Sequence, residues 1–396
     1  MRLPIVFLMM SVVIDAMGIG LIMPVMPDLI GEVSGGDLSE AALWGGVMSS
    51  IFAIMQFLFA PFLGVLSDYF GRRPVLLITL AIVIVDYILL GLAGTVALLI
   101  VARALGGMAS ATQSTASAAM ADLHPPEKRA QGFGLVGAAF GIGFIAGPLL
   151  GGILGEWGVR APFWAAAGLC ALNLILGLLA FPETNKDKSS QIAWRHANPI
   201  GAFHALSKLP GLAQSIVVIF LYHLAFAVYP LVWSYFCTAR FGWDARPIGI
   251  SLAVFGLCFA AVQGALMPMI IRHLGERRTA LAGLCFMAVS LGATAIVPNG
   301  VLALALIPFS ALGGMFGPAV TALLSMGIGP TRQGELQGVL GATAAVAMVV
   351  SPILMSTSFF YATAPERAMP FAGAPFVLSL VLTLVALGLF IRASRV

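Results

Sequence analysis

Long apolar runs alternate with short polar connections along the whole chain. The runs fall at 4–29, 43–67, 74–94, 96–121, 131–154, 161–182, 211–237, 246–271, 279–297, 299–326, 335–358 and 370–391. A helix needs about 20 apolar residues to cross a bilayer, and each run is near that length. Outer-membrane strands would give alternating segments of about ten residues, and none is seen. Backbone groups in lipid must be satisfied within their own segment, so each run is predicted as a helix. The pattern therefore predicts an all-α membrane protein with twelve transmembrane helices.

The longest polar stretch, from Glu183 to about Pro210, is rich in charge, Ser, Asn and Pro. It reads as a linker between six helices and six. The expected organisation is a first bundle at 1–182, a cytoplasmic linker at 183–210 and a second bundle at 211–396. The halves repeat. At an offset of 204 residues Gly71 maps to Gly275, Arg73 to Arg277, Gly134 to Gly338, Gly137 to Gly341 and Pro148 to Pro352. A two-fold repeat of this kind predicts two pseudo-symmetric six-helix bundles that work by alternating access.

Composition agrees with the pattern. Of the 396 residues, 60% are hydrophobic and only 9% charged, where a soluble domain carries about 25% charged residues. Mean hydropathy is +1.03. The formal charge of +4 resides in short loops and carries no nucleic-acid signal. Cys170, Cys237, Cys258 and Cys285 are scattered, so neither a disulfide framework nor a metal site is expected. The N-terminal run is too long for a cleavable signal and contains Asp15.

Lys and Arg set the expected orientation. With both termini cytoplasmic, fifteen basic residues fall inside, four outside (Arg160, Arg240, Arg246 and Arg367), and Arg103 within a helix. This is a strong positive-inside bias. The densest polar connection is Gly64-Val-Leu-Ser-Asp68-Tyr-Phe-Gly71-Arg72-Arg73-Pro74. Its glycines permit a reversal and close helix approach, and Pro74 suits a helix start. It reads either as a topology anchor or as an element with a further role, since an anchor needs neither Asp68 nor the two glycines. A weaker copy lies at Pro268 to Arg278.

Three charges lie inside the first-half runs. Asp15 and Asp86 are the acids deep in the membrane, and a charge there costs at least about 2.5–3.5 kcal/mol. The protonated carboxyl is the form a low-dielectric setting tolerates, so both are candidate proton carriers or substrate contacts. The alternative is an acid held in a packing hydrogen bond. Arg103 cannot readily deprotonate and is expected to stabilise a carboxylate. The alternative is an arginine reaching the outer headgroups. Helical spacing sets Gly107, Ser110, Ser114 and Ser117 on its face. In the second half His223 is the histidine within a span, able to titrate near neutrality or simply to hydrogen-bond. Gln56, Gln113, Asn173 and Gln263 are uncharged hydrogen-bonding candidates for a cavity wall. Phe140 is a candidate apolar contact.

The fifth run carries Gly134, Gly137, Gly141, Gly143, Gly147, Pro148, Gly151 and Gly152. Spacings of three and four predict close helix packing, and Pro148 offers a place for a gate to bend.

These motifs resemble the major facilitator superfamily, and within it the proton-coupled drug antiporters. Gly64 to Arg73 resembles the superfamily's loop 2–3 motif, Arg103 to Gly107 its helix 4 motif, and Gly143 to Gly152 the helix 5 motif of antiporters. Asp15 to Pro24, Asp86-Tyr87 and Arg240 to Trp243 resemble the tetracycline efflux proteins. The resemblance implies a bacterial inner-membrane exporter of amphipathic drugs, with tetracycline foremost. It implies proton coupling through Asp15, Asp86 and Arg103, with His223 as a second-half candidate. It implies a latch at Gly64, Asp68, Gly71, Arg72, Arg73 and Arg129, and a gate at Gly143, Gly147, Pro148, Gly151 and Gly152. Substrate contacts are expected at Asp15, Gln56, Gln113, Phe140, Asn173, His223 and Gln263. The resembled exporters carry a histidine in helix 8 and an aspartate in helix 9. Here those neighbourhoods read Gly256 to Gln263 and Gly283 to Met287, without either charge.

No cofactor is expected. Protons are the coupling ion, and a divalent cation is a candidate companion chelated by the substrate. The expected partners are a small-molecule drug, protons and lipid, for a monomer. A multidrug exporter that does not act on tetracycline, or a symporter importing a nutrient, fits the same helices. A membrane enzyme or a nucleotide-driven pump is disfavoured by the absence of HExxH, GxSxG and GxxxxGK[ST] patterns.

Overall fold

The structure is a computed structural model describing residues 3–110, 112–125, 128–185, 188, 212–328 and 332–392, with backbone only at 113 and 130. Among the described residues it is helical, without strands. The first half holds α1 (Leu3–Ile22), α2 (Met26–Ser34), α3 (Leu38–Phe70), α4 (Arg72–Leu92), α5 (Val96–Ala109), α6 (Thr112–Leu123), α7 (Arg129–Gly155) and α8 (Ala161–Ala180). The second holds α9 (Ala213–Phe226), α10 (Val228–Phe241), α11 (Ala245–Ala261), α12 (Met267–Ile296), α13 (Gly300–Leu312), α14 (Phe316–Met326), α15 (Gln333–Thr363) and α16 (Ala374–Arg392). A π-turn, Val262–Leu266, joins α11 to α12, and a 3-10 turn, Gly313–Met315, joins α13 to α14.

Among the described residues, eleven helical stretches are long and apolar enough to cross a membrane, and one of them, Ala245–Ile296, has 52 residues. At about 1.5 Å rise per residue this is more than twice the hydrocarbon thickness. The stretch supplies two spans, broken at Gly275 (φ 74°, ψ 166°), so the twelve runs of the sequence are accounted for.

Several runs are subdivided. The run 96–121 holds α5, which ends at Ala109 with Ser110 as its C-cap, and α6, and the two together make one of the stretches able to cross a membrane. The Ser110 hydroxyl donates to the Gly107 carbonyl at 2.8 Å, a local bond that competes with helix continuation. Residue 111, between α5 and α6, lies outside the described residues, so the stripe from Arg103 to Ser117 is described only within each helix.

The repeat extends to the helix caps. Thr95 accepts a hydrogen bond from the Leu98 amide at 3.3 Å, and Asn299 accepts one from the Leu302 amide at 3.0 Å. Both pairs stand at the same 204-residue offset, and both satisfy an orphan N–H of a first helical turn.

The chain divides into two compact units. One comprises Met1–Gly35, Ile51–Pro199 and Asp244–Ala253, and the other Gly36–Ser50, Ile200–Trp243 and Val254–Val396. The core of the first unit is built on α1. Phe7, Leu8 and Val12 pack with Leu76 and Leu80 of α4, Met120 of α6, Val136 of α7 and Phe181. The core of the second is aromatic: Tyr222, Phe226, Tyr229, Trp233, Phe255 and Phe376 form a linked set of ring contacts.

The helix 5 glycines divide into two groups. On α7, a Cβ at Gly143, Gly147 or Gly151 would strike α1 backbone, at Val13, Met17 and Leu21 respectively. Gly152 meets Ala245 to Gly249 of α11. These contacts are the close approach that the glycine spacing predicts. Gly134, Gly137 and Gly141 have nothing within 4 Å of a Cβ, so the packing expected for them is not made here. Gly64 is equally open, and close approach does not explain it.

Candidate functional site

Asp86 on α4 and Arg103 on α5 form a buried ion pair. Arg103 Nη2 donates to Asp86 Oδ2 at 2.6 Å, with the side chains 10% and 4% exposed. The guanidinium also lies 5.3 Å from the centre of the Phe52 ring, a cation–π distance. Such a pair inside an apolar bundle satisfies the rule that buried charges are paired. Gly106 makes room for it. A Cβ there would fall 2.5 Å from Asp86 Oδ2 and 3.4 Å from Arg103 Nη2.

Asp15 of α1 reaches the same place. Asp15, Gly18, Phe52, Asp86, Tyr87 and Arg103 all line one cavity of about 20 Å³. That is the size of a single water molecule, far below the several hundred Å³ of a drug pocket. Gly18 is needed there because its Cβ would strike the Tyr87 hydroxyl. Asp86 Oδ1 and Arg103 Nε have no hydrogen-bond partner among the described residues. The cavity thus joins two carboxyls, a fixed cation and spare hydrogen-bonding capacity, a chemistry suited to holding and passing a proton.

The other sequence candidates lie elsewhere. Gln56 Nε2 donates to the Ser110 carbonyl at 3.5 Å, and Ser110 lines the cavity. Asn173 does not line it. Asn173 Nδ2 donates to Ser11 Oγ at 2.8 Å, bonding α8 to α1 in the core. Phe140 stacks on Phe144 at 6.2 Å and packs against the α1 core. The Gln113 side chain lies outside the described residues. In the second unit, the half-buried His223 ring meets Tyr222 edge-on at 5.4 Å. Gln263 sits in the π-turn and donates to the Gly314 carbonyl of the 3-10 turn at 3.0 Å.

The Gly64 to Arg73 connection forms a polar cluster whose recorded partners all belong to the first unit. Arg72 pairs with Asp68 at 2.6 Å and with Asp122 at 3.3 Å. Glu183 caps α4: its Oε1 accepts from the Arg72 amide at 2.8 Å, and its Oε2 from the Arg73 amide at 3.3 Å. Asn185 Nδ2 donates to the Asp68 carbonyl at 3.1 Å and Lys188 Nζ to the Phe70 carbonyl at 2.7 Å. Arg129, the first residue of α7, is exposed. Sequence reading missed Glu183 and Asp122. The only signal was an acid placed just after an apolar run, where the positive-inside bias draws attention to bases.

Residues 8–232 match the family described as Major Facilitator Superfamily. The chain belongs to the major facilitator superfamily. It is 37% identical over 349 residues to the class C tetracycline resistance protein of Escherichia coli, covering 88% of each chain. It is 35% identical to the class G tetracycline resistance protein of Vibrio anguillarum, covering 92% of each. Among solved structures, nucleoside transporter NupG matches with a TM-score of 0.83 at 12% identity over 100% of both chains. The human organic anion transporter MFSD10 (TETRAN) matches at 0.70 and 23% identity, over 98% of this chain and 99% of that one. These structures bear on the fold alone. As a major facilitator protein, the chain is a multi-pass membrane transporter and not an enzyme.

Proposed function

We propose that this transporter exports amphipathic drugs, tetracycline foremost, in exchange for protons by alternating access. The observation that carries the proposal is the convergence of Asp15, Asp86 and Arg103 on one water-sized cavity. The tetracycline resistance relatives supply the substrate class. In this reading a proton on Asp15 or Asp86 and a bound drug exclude one another. Arg103 holds the Asp86 carboxylate ready for the exchange, and His223 is the titratable group of the second unit. Gln56, Gln113, Phe140, Asn173 and Gln263 are the further contacts proposed for the drug path. Gly64, Asp68, Gly71, Arg72, Arg73 and Arg129 act as the latch, and Gly143, Gly147, Pro148, Gly151 and Gly152 as the gate. The protein works in a bacterial inner membrane, as a monomer, with both termini and the 183–210 linker in the cytoplasm.

The test uses inverted membrane vesicles with an imposed pH gradient. Tetracycline and then a panel of cationic and zwitterionic drugs are added to wild type, Asp15→Asn and Asp86→Asn. Drug-driven proton release that either variant abolishes is the expected result. The absence of release with every drug, together with substrate uptake by intact cells, would instead leave import by symport.

A further inference from the structure

The second unit contains a larger cavity that the proton site does not use. Its volume is about 250 Å³, and its walls come from the start of α3, the end of α10 and the α15–α16 connection. By the lysine and arginine bias of the sequence, this end faces away from the cytoplasm.

Two opposite charges face this cavity, Asp37 and Arg240. They form no ion pair with each other or with any other described residue. Asp37 Oδ1 is engaged locally, accepting from Ser39 Oγ at 2.6 Å and from the Glu40 amide at 2.9 Å. Arg240 is held through one nitrogen, with Nε donating to the Val297 carbonyl at 3.1 Å. The Ser39 amide adds a third hydrogen bond to the carboxyl, whose charge no described cation compensates, and Arg240 keeps two terminal nitrogens beyond its Nε bond. Leu38, Phe359, Pro365 and Pro370 supply an apolar wall. A concave apolar wall with a few fixed polar groups is the usual form of a small-molecule site. An acid and a guanidinium kept apart across it select a ligand carrying both signs of charge.

We propose that this cavity binds a zwitterionic amphiphile, cationic end at Asp37, anionic end at Arg240 and apolar body against Phe359 and the prolines. Two sources offer that chemistry, a zwitterionic drug and a phosphoethanolamine lipid headgroup. The site shares no lining residue with the Asp15–Asp86–Arg103 cavity and does not depend on which compound is transported.

The experiment titrates the purified full-length protein, in an uncharged detergent, with tetracycline and separately with dihexanoyl phosphatidylethanolamine. Binding heats are read for wild type, Asp37→Asn, Arg240→Gln and Arg240→Lys. Asparagine keeps the helix-capping acceptor while removing the charge, and thermal unfolding confirms that each variant is folded. One probe is expected to bind saturably, with Asp37→Asn and Arg240→Gln each weakening it about tenfold, as for a lost charge-assisted bond. Arg240→Lys should retain more binding than Arg240→Gln. The probe that responds identifies the source. Failure of both probes to bind overturns the proposal, as does binding that neither variant changes. A loss confined to one variant overturns it as well, since a zwitterion needs both charges. Proton release in vesicles is read separately, so failure of this site is distinguishable from failure of the exporter reading.

Discussion

Gly71 and Gly275 stand 204 residues apart and adopt one backbone conformation, φ 112° with ψ 163° and φ 74° with ψ 166°. This region is open essentially to glycine alone. Each residue precedes a span rich in arginine at its start, so the repeat preserves a reversal that no other residue can make.

Replacing either glycine by alanine is expected to cost about 1–3 kcal/mol in backbone strain. Gly71→Ala should be the worse of the two. Its Cβ would meet the Glu183 carboxylate, whereas Gly275 has open space around it. Thermal unfolding of the two variants in detergent checks the order, and equal midpoints would contradict it.

The Asp86–Arg103 pair predicts a thermodynamic cycle. Breaking a buried pair from one side costs about 3–5 kcal/mol, because the remaining charge is left uncompensated. Arg103→Gln alone should therefore destabilise the protein more than the Asp86→Asn/Arg103→Gln double variant does. Additive losses in the double variant would show that the two groups are not coupled in the folded protein.

On α7, position decides what a glycine does. Gly147→Val should destabilise by more than about 2 kcal/mol, since the new side chain drives into α1 backbone. Gly137→Val should leave the unfolding midpoint within about 0.5 kcal/mol equivalent, as for an uncrowded exposed site. Comparable losses at both positions would refute this division.

These contrasts show how far the sequence could be read. Apolar run length gave the spans because lipid admits helices and little else. Asp15, Asp86 and Arg103 stood out because charge inside such runs is costly. Their gathering around one cavity was not legible, since it depends on which faces of α1, α4 and α5 meet. Gly106 fell inside the helix 4 motif but gave no hint of its reason, since its requirement comes from the Asp86 oxygen on another helix. Asn173 gave an ambiguous one, because a polar residue in an apolar run reads the same whether it contacts a substrate or bonds Ser11. The repeat likewise carries geometry without chemistry. Asp86 corresponds by offset to Ser290 and Arg103 to Ile307, and Ser290 is spent on the Met287 carbonyl at 3.0 Å.

Asp37 predicts a small acid sensitivity. The Ser39 hydroxyl first, then the Glu40 amide, hold its carboxyl below the ordinary aspartate value. The folded state thus binds this proton less readily than the unfolded chain. The stabilisation is full above the unfolded value of about 4 and fades as pH falls through the lower folded one. Asp37→Asn should flatten the midpoint-against-pH curve in that acidic window, and near neutrality it should lower the midpoint slightly without changing the slope. An unaltered acidic slope in the variant would count against it.

The contact between α1 and α7 bears on motion. At Gly143 the neighbours are the Val13 carbonyl, the Ala16 Cβ and the Met17 amide, the residues on either side of Asp15. Only the Ala16 methyl group joins backbone atoms at this point, and close-packed contacts pass displacement on rather than absorb it. The backbone of α7 thus bears directly on the α1 segment that carries Asp15, and a displacement of one helix is felt at the other.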